Sequence, residues 1–202
     1  MKKAITLAVG VIVAALAVSF TGCTMHITMN PSSVSDMEYG HISGRIILFM
    51  DSEFRNYHWQ GFSDAELKGL DYDLGSASRN HFYDAFRRSS DQVTVVEKLP
   101  AFPVAAQDGM VLVVQPRIGG FSEKHNLFIR NADYDATITY HVIVYDKAGR
   151  IILEKDYTAT GSETGGMDVY RNYAAPAEIA MARTVKTILA DISKLASMQK
   201  AP

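Results

Sequence analysis

The sequence has a single cysteine, Cys23, and no block of like charges. One cysteine cannot form an internal disulfide, so the fold must depend on packing alone. The 20 Lys and Arg residues nearly balance the 22 Asp and Glu residues, which gives a formal net charge of −2. Without a cluster of basic residues, binding to nucleic acid through a basic patch is not expected.

The sequence also lacks the usual signatures of catalysis and metal binding. It contains no His-Glu-x-x-His, no Gly-x-Ser-x-Gly and no phosphate-binding glycine loop, and its six histidines lack metal-ligand spacing. Two Asp-Tyr-Asp segments, 71–73 and 133–135, could bind calcium, but neither continues into an EF-hand. We therefore predict no enzymatic activity, no cofactor and no metal site.

The N terminus has the pattern of a secretory signal. Lys2 and Lys3 precede an apolar run from Ala4 to Val18, and small residues lead from it to Cys23. The run is shorter than the ~20 residues that a helix needs to cross a bilayer. We predict a signal peptide over residues 1–22.

Residues 20–23, Phe-Thr-Gly-Cys, resemble the bacterial lipobox, at which a lipid is attached to the cysteine and the chain is cut before it. Thr21, Gly22 and Cys23 match the pattern, whereas Phe20 stands where Leu is usual. The resemblance implies a multiply acylated Cys23, and stable anchoring needs more than one acyl chain. Thr24 is not Asp, which by the enterobacterial sorting rule favours the outer membrane. The alternative is a free or buried cysteine after an ordinary signal.

Residues 23–42 are polar and rich in turn formers, which predicts a flexible tether between the lipid and a single domain over residues 43–198. An edge strand from His26 to Met29 is the alternative for part of this tether. The domain, with its signal removed, is long enough for one core of its own.

Within the domain, the hydrophobic pattern predicts a two-layer α+β sandwich, in which a mostly antiparallel sheet of four to five strands carries two helices on one face. The segment Arg45–Met50 is apolar and bounded by Gly44 and Asp51, which is typical of a central strand. Further strands are predicted at Val93–Lys98, Met110–Pro116, Ala136–Tyr145 and Ile151–Thr160, and helices at Gly75–Ser90 and Ala175–Met198.

Two segments predicted to be irregular, 52–73 and 121–134, are rich in aromatic side chains. Aromatic residues together with arginine in irregular segments are typical of protein interfaces. The same side chains could instead fold back and cover the open face of the sheet. The candidate interface residues are Trp59, Phe62, Leu127, Phe128, Ile129 and Arg130.

The lipobox, the Arg45–Met50 strand, the helix leading to Gln92–Val96, the long hairpin and the C-terminal helix together resemble a broad group of small envelope lipoproteins. That group includes the lipopolysaccharide-assembly lipoprotein, exopolysaccharide-export lipoproteins and the N-terminal part of curli-secretion lipoproteins. The likeness is one of element order and carries over no functional residue.

The predicted lipid anchor, the small single domain and the lack of catalytic motifs together predict a non-enzymatic, lipid-anchored lipoprotein on the periplasmic side of the outer membrane. It would be an accessory or scaffold subunit of an envelope transport or assembly complex, bound to an envelope protein or to further copies of itself. The alternative is a periplasmic lipid- or glycan-binding lipoprotein. An envelope hydrolase would need Asp, His and Ser side chains that converge in the fold.

Overall fold

The computed structural model describes residues 24–29, 40–63, 68–105, 109–127, 132–165 and 173–198. No helix in these ranges is both long and apolar enough to cross a bilayer. The strands are β1 (Thr24–Ile27), β2 (Ile42–Phe49), β3 (His58–Ser63), β4 (Lys68–Asp73), β5 (Ser90–Val96), β6 (Val111–Leu127), β7 (Ala132–Asp146) and β8 (Ile151–Gly165). The helices are α1 (Ser52–Arg55), α2 (Leu74–Ser89) and α3 (Ala174–Met198).

The larger of two sheets has five strands in the order β5-β2-β6-β7-β8, with helices packed against it. This arrangement confirms the predicted α+β class. The sheet is mixed rather than mostly antiparallel, because β2 pairs in parallel with both β5 and β6. The chain passes from β2 to β5 through α1, β3, β4 and α2, and a long crossover of this kind allows the two strands to run parallel.

The smaller sheet has three strands in the order β1-β4-β3. It includes two segments for which other structures were expected. The aromatic segment 52–73 is not an irregular loop but forms α1 and the antiparallel hairpin of β3 and β4. Residues 24–27, expected in the flexible tether, form β1, which pairs in parallel with β4 and is an edge strand that overlaps the alternative prediction for His26–Met29. The apolar side chains of Met25 and Ile27 alternate with polar ones, and Ile27 is buried against the core.

Strands β6 and β7 form a longer ribbon than the sequence pattern suggests. Segment 121–134 is predicted to be irregular, but β6 continues to Leu127 and β7 begins at Ala132, and these two residues are paired. Pro116 and Gly119–Gly120 resemble strand breakers. The ribbon accommodates Pro116 because β2 pairs with β6 only over Val111–Val114, so Pro116 has a paired neighbour, Val142, on one side alone. It accommodates the two glycines with a bulge between Ile118 and Gly120.

Both long helices cover the core with the faces that their hydrophobic periods indicate. In α3, Val185, Leu189 and Ile192 are spaced three or four residues apart, and the apolar stripe that they form is buried. Ser76 and Ser78, near the start of α2, are of the residue type that commonly caps a helix, but neither caps this one. Asp73 caps this helix by accepting a hydrogen bond from the backbone N–H of Ser76 at 3.0 Å. Ser78 is instead buried, with its hydroxyl 2.6 Å from that of Tyr140.

Strand β8 lies against α3 so closely that one position has no room for a side chain. A Cβ atom at Gly161 would overlap the carbonyl oxygen of Pro176 and approach the backbone nitrogen of Ala180 to 2.7 Å. Gly120, in the bulged part of β6, has open space around its Cα. The two glycines therefore form a matched pair for testing the packing of α3.

We predict that Gly161→Ala lowers the free energy of unfolding by about 1–3 kcal/mol, because overpacking against a helix backbone forces the two elements apart. The measurement is the midpoint of urea unfolding followed by circular dichroism. Gly120→Ala, the control, should leave that midpoint within experimental error. An unchanged midpoint for Gly161→Ala would contradict the tight β8–α3 contact.

His81 lies on the buried face of α2 and is fully enclosed. Neither nitrogen of its ring has a hydrogen-bond partner among the described residues. Burial lowers the pKa of His81 to about 4, against a smaller opposing effect of Asp84. Between about pH 4 and pH 6.5, the imidazole of His81 is therefore neutral in the folded protein but protonated in the unfolded chain.

This burial predicts a loss of stability in mild acid. Because the pKa of His81 is lower in the folded state than the usual value of about 6.5, stability should fall as the pH drops from about 6.5 to about 4, by roughly 3 kcal/mol in total. His81→Leu should remove this component when unfolding is measured at a series of pH values. His41→Gln, which changes an exposed ring, should retain it.

Candidate functional site

The smaller sheet has two faces of opposite character, which follow from its register. Paired residues lie on the same face of a sheet. Thr24 and Phe62 flank Gly69, and His26 and Gln60 flank Asp71. These residues form the outer face. The residues that alternate with them form the inner face and pack toward the core: Met25, Ile27, Trp59, Leu70 and Tyr72.

The outer face brings together four side chains from three strands, which we term the His–Asp cluster: His26, His58, Asp71 and Asp73. Asp71 lies at its centre. His26 Nδ1 is 2.9 Å from Asp71 Oδ2, and His58 Nδ1 is 3.2 Å from Asp71 Oδ1. Asp73 is more distant, with its Oδ1 at 3.9 Å from His58 Nε2.

The carboxylate of Asp71 connects all three strands of the smaller sheet. Its side chain is only 10% exposed, whereas those of His26 and His58 are 77% and 50% exposed. An ionised carboxylate only accepts hydrogen bonds, so each ring presents its Nδ1–H to Asp71. A neutral ring then has Nε2 left as an acceptor. The cluster thus fixes the orientation of two imidazoles on the surface.

An open groove of about 420 Å³ lies beside the cluster and extends to the first turns of α2. Besides the four cluster residues, Ser76 and Asn80 contribute polar groups to its wall. Imidazole, carboxylate, hydroxyl and amide groups together can hydrogen-bond a ligand that carries several hydroxyl groups. The wall also contains Ile27, Met29 and Ala77, so the groove combines these polar groups with apolar contacts.

A carboxylate that orients histidine is also found in hydrolases, where the histidine activates a nucleophile. In the described part of the chain, no Ser, Thr or Cys side chain is hydrogen-bonded to either ring. Nor do the described His, Asp and Glu residues include a group of three with the geometry of a metal site. Among the described residues, the cluster therefore positions polar groups and has no hydroxyl or thiol nucleophile bonded to its rings.

The inner face forms an aromatic seam between the two sheets. The ring of Trp59 lies edge-to-face on Tyr72 and Phe121, with centroids 5.7 and 5.1 Å apart. The hydroxyl of Tyr72 donates to the carbonyl oxygen of Tyr173 at 3.2 Å. Burial raises the pKa of the Tyr72 hydroxyl well above its usual range, and the nearby Glu123 adds to this effect. Tyr72 therefore remains a neutral hydrogen-bond donor.

The candidate interface residues do not form one described surface. Trp59 belongs to the aromatic seam, whereas Phe62 is 59% exposed at the end of β3. Leu127 is the last residue of β6. Cys23 and residues 128–130 lie outside the described residues.

Sequence reasoning missed the His–Asp cluster because its members are far apart in the chain. His26 is 45 residues from Asp71. The signal available in the sequence was the close spacing of Asp71 and Asp73, which is typical of a cation site and does not indicate that histidines lie nearby.

No protein-family model and no curated protein matches the sequence. Among solved structures, a protein from Xanthomonas campestris of family DUF330 has a TM-score of 0.51 at 13% identity, covering 89% of this chain and 98% of that one. A minor lipoprotein from Acinetobacter baumannii has a TM-score of 0.39 at 11% identity, covering 75% and 93%. A protein from Caulobacter crescentus described as a candidate lipoprotein has a TM-score of 0.40 at 15% identity, covering 63% and 86%. At these identities, the Xanthomonas protein shows a shared fold alone.

We predict that Asp71→Asn loosens β1 from β4. The amide removes the charge and turns one of the two acceptor atoms into a donor that faces an Nδ1–H, which should cost about 1–3 kcal/mol of unfolding free energy. Hydrogen exchange of the β1 amides should accelerate, and the urea midpoint should fall.

Asp156→Asn is the matched control, because Asp156 Oδ1 is 2.7 Å from Nδ1 of His141 but its side chain is 69% exposed. An exposed pair of this kind should contribute less than about 1 kcal/mol. Equal effects of the two substitutions would show that Asp71 has no special structural role.

Proposed function

We propose that this chain is a lipoprotein of the bacterial outer membrane, anchored by acyl chains on Cys23, with its domain on the periplasmic side. The observation that carries the proposal is the position of Cys23. It follows a signal-like apolar run and directly precedes β1, the first described strand. A secretory signal that ends in Thr-Gly-Cys accounts for the presence of the only cysteine at this point of the chain.

The proposed role is that of a non-enzymatic accessory or scaffold subunit of an envelope transport or assembly complex. A long sheet edge supports it. Among the described strands, β8 has a neighbour on one side only, and it is 15 residues long. An exposed edge of this length can accept a strand from a partner or from another copy.

The side chains along this edge favour a specific partner. Glu154, Lys155 and Asp156 are consecutive charged residues near the middle of β8, and all three are exposed. Charged residues on an edge strand oppose indiscriminate pairing with other strands. A partner that docks here would need charges that complement them.

Purification of the tagged, acylated chain from detergent extracts, followed by mass spectrometry and size-exclusion chromatography, tests this role. We expect either a stable homo-oligomer or an envelope protein in stoichiometric amount. The same chain with Glu154→Lys and Asp156→Lys should lose that association while remaining in the membrane. A monodisperse monomer without any partner would contradict the proposed role.

A glycan-binding lipoprotein is the second candidate, and the groove beside the His–Asp cluster is the observation that favours it. Its hydrogen-bonding groups suit a hydroxyl-rich ligand. A glycan that co-purifies with the parent chain but not with Asp71→Asn would favour this candidate over the accessory role.

We predict that Cys23→Ala abolishes the incorporation of labelled palmitate and releases the protein from the membrane fraction, since no other residue of the chain offers a thiol. Metabolic labelling followed by fractionation measures both effects. Thr24→Ser, a change at the adjacent position, should leave labelling intact. Continued palmitate incorporation into Cys23→Ala would refute the anchor.

A further inference from the structure

The end of the smaller sheet at which β1 begins carries an exposed aromatic ring. Thr24 and Phe62 flank the same residue, Gly69, on opposite sides of the central strand. Neighbouring strands lie about 4.8 Å apart, so the Cα atoms of Thr24 and Phe62 are about 10 Å from each other. Gly69 has no side chain to cover the ring of Phe62, which is 59% exposed.

The acyl-bearing residue of the proposed function leaves the domain at this same end. Cys23 precedes Thr24, and consecutive Cα atoms are about 3.8 Å apart. Because Thr24 is already paired with Gly69, little slack separates an acylated Cys23 from the folded sheet. Acyl chains on Cys23 would enter the hydrocarbon layer, so the headgroup layer must lie within a few ångströms of this end of the sheet.

We infer that Phe62 is a membrane contact, and that the end of the smaller sheet formed by Thr24 and Phe62 faces the phospholipid surface. The inference rests on the proposed acylation of Cys23. Apolar side chains of surface-bound proteins enter about 5–10 Å into the boundary between headgroups and acyl chains, a depth that a ring next to the anchor can reach.

The test uses the acylated full-length chain in vesicles of phosphatidylethanolamine and phosphatidylglycerol. Phe62→Cys supplies one reactive thiol, since the thiol of Cys23 is blocked by lipid, and it is labelled with an environment-sensitive fluorophore. Ile151→Cys is the matched control. Ile151 is also an exposed apolar residue, 53% exposed, but it lies far from the smaller sheet. It pairs with Tyr145 of β7, which is more than about 20 Å along that strand from Ile138. Ile138 pairs with Phe121, the residue of the larger sheet that packs against Trp59 of the smaller one.

We expect nitroxide-bearing lipids to quench the label at position 62 at least about twofold more than the label at position 151, as interfacial insertion requires. Aqueous iodide should show the opposite order. Equal lipid quenching at the two positions, with palmitate still incorporated at Cys23, would overturn the membrane contact and leave the proposed anchor intact. Protection from iodide that persists in detergent and grows with protein concentration would indicate a protein interface and would also overturn it. Absence of palmitate would remove the anchor and this inference together.

Discussion

Tyr72 determines where the smaller sheet lies relative to the larger one. Its ring is almost fully buried between Trp59 and Phe121, and its hydroxyl donates to the carbonyl oxygen of Tyr173. Tyr72 is on β4, the central strand of the smaller sheet, so packing that holds β4 also holds β1 and β3. Because β1 starts directly after Cys23, the packing of Tyr72 also fixes the end of the domain at which β1 begins.

Successive side chains of β4 alternate between the core and the outer face of the smaller sheet, so the same strand contributes to both. Leu70 and Tyr72 point into the core, whereas Asp71 between them holds His26 and His58 on the outside. A slip of one residue in the register would exchange these faces, turning the carboxylate of Asp71 into the apolar core and exposing Tyr72. The aromatic seam therefore fixes the register on which the His–Asp cluster depends. The cluster in turn joins the outer strands to β4, so each face stabilises the arrangement of the other.

The sequence was sufficient to predict a helix or strand where its hydrophobic period extends over many residues. The stripe of α3 and the alternation in β7 both extend through several turns or pairs, and both elements were predicted within a few residues of their ends. Strand β1 has only four residues, and its partner β4 is far along the chain, so the sequence indicated an edge strand at His26–Met29 only as an alternative to a tether. The hairpin of β3 and β4 was missed because Gly61 and Gly69 resemble loop residues. Gly61 instead lies under the ring of Trp59, which leaves no room for a Cβ atom.

The pairing of β1 also changes what an anchor at Cys23 would mean for binding. A tether over residues 23–42 would let the domain take many orientations above the bilayer, and any partner would have to offset the entropy lost on docking. With Thr24 already held against Gly69, most of that freedom is removed before a partner arrives. If Cys23 is acylated as proposed, a domain held in this way would present the same sheet edge at a similar height above the bilayer. Such preorganisation would favour a subunit that docks within the plane of the membrane over one that must reach across the periplasm.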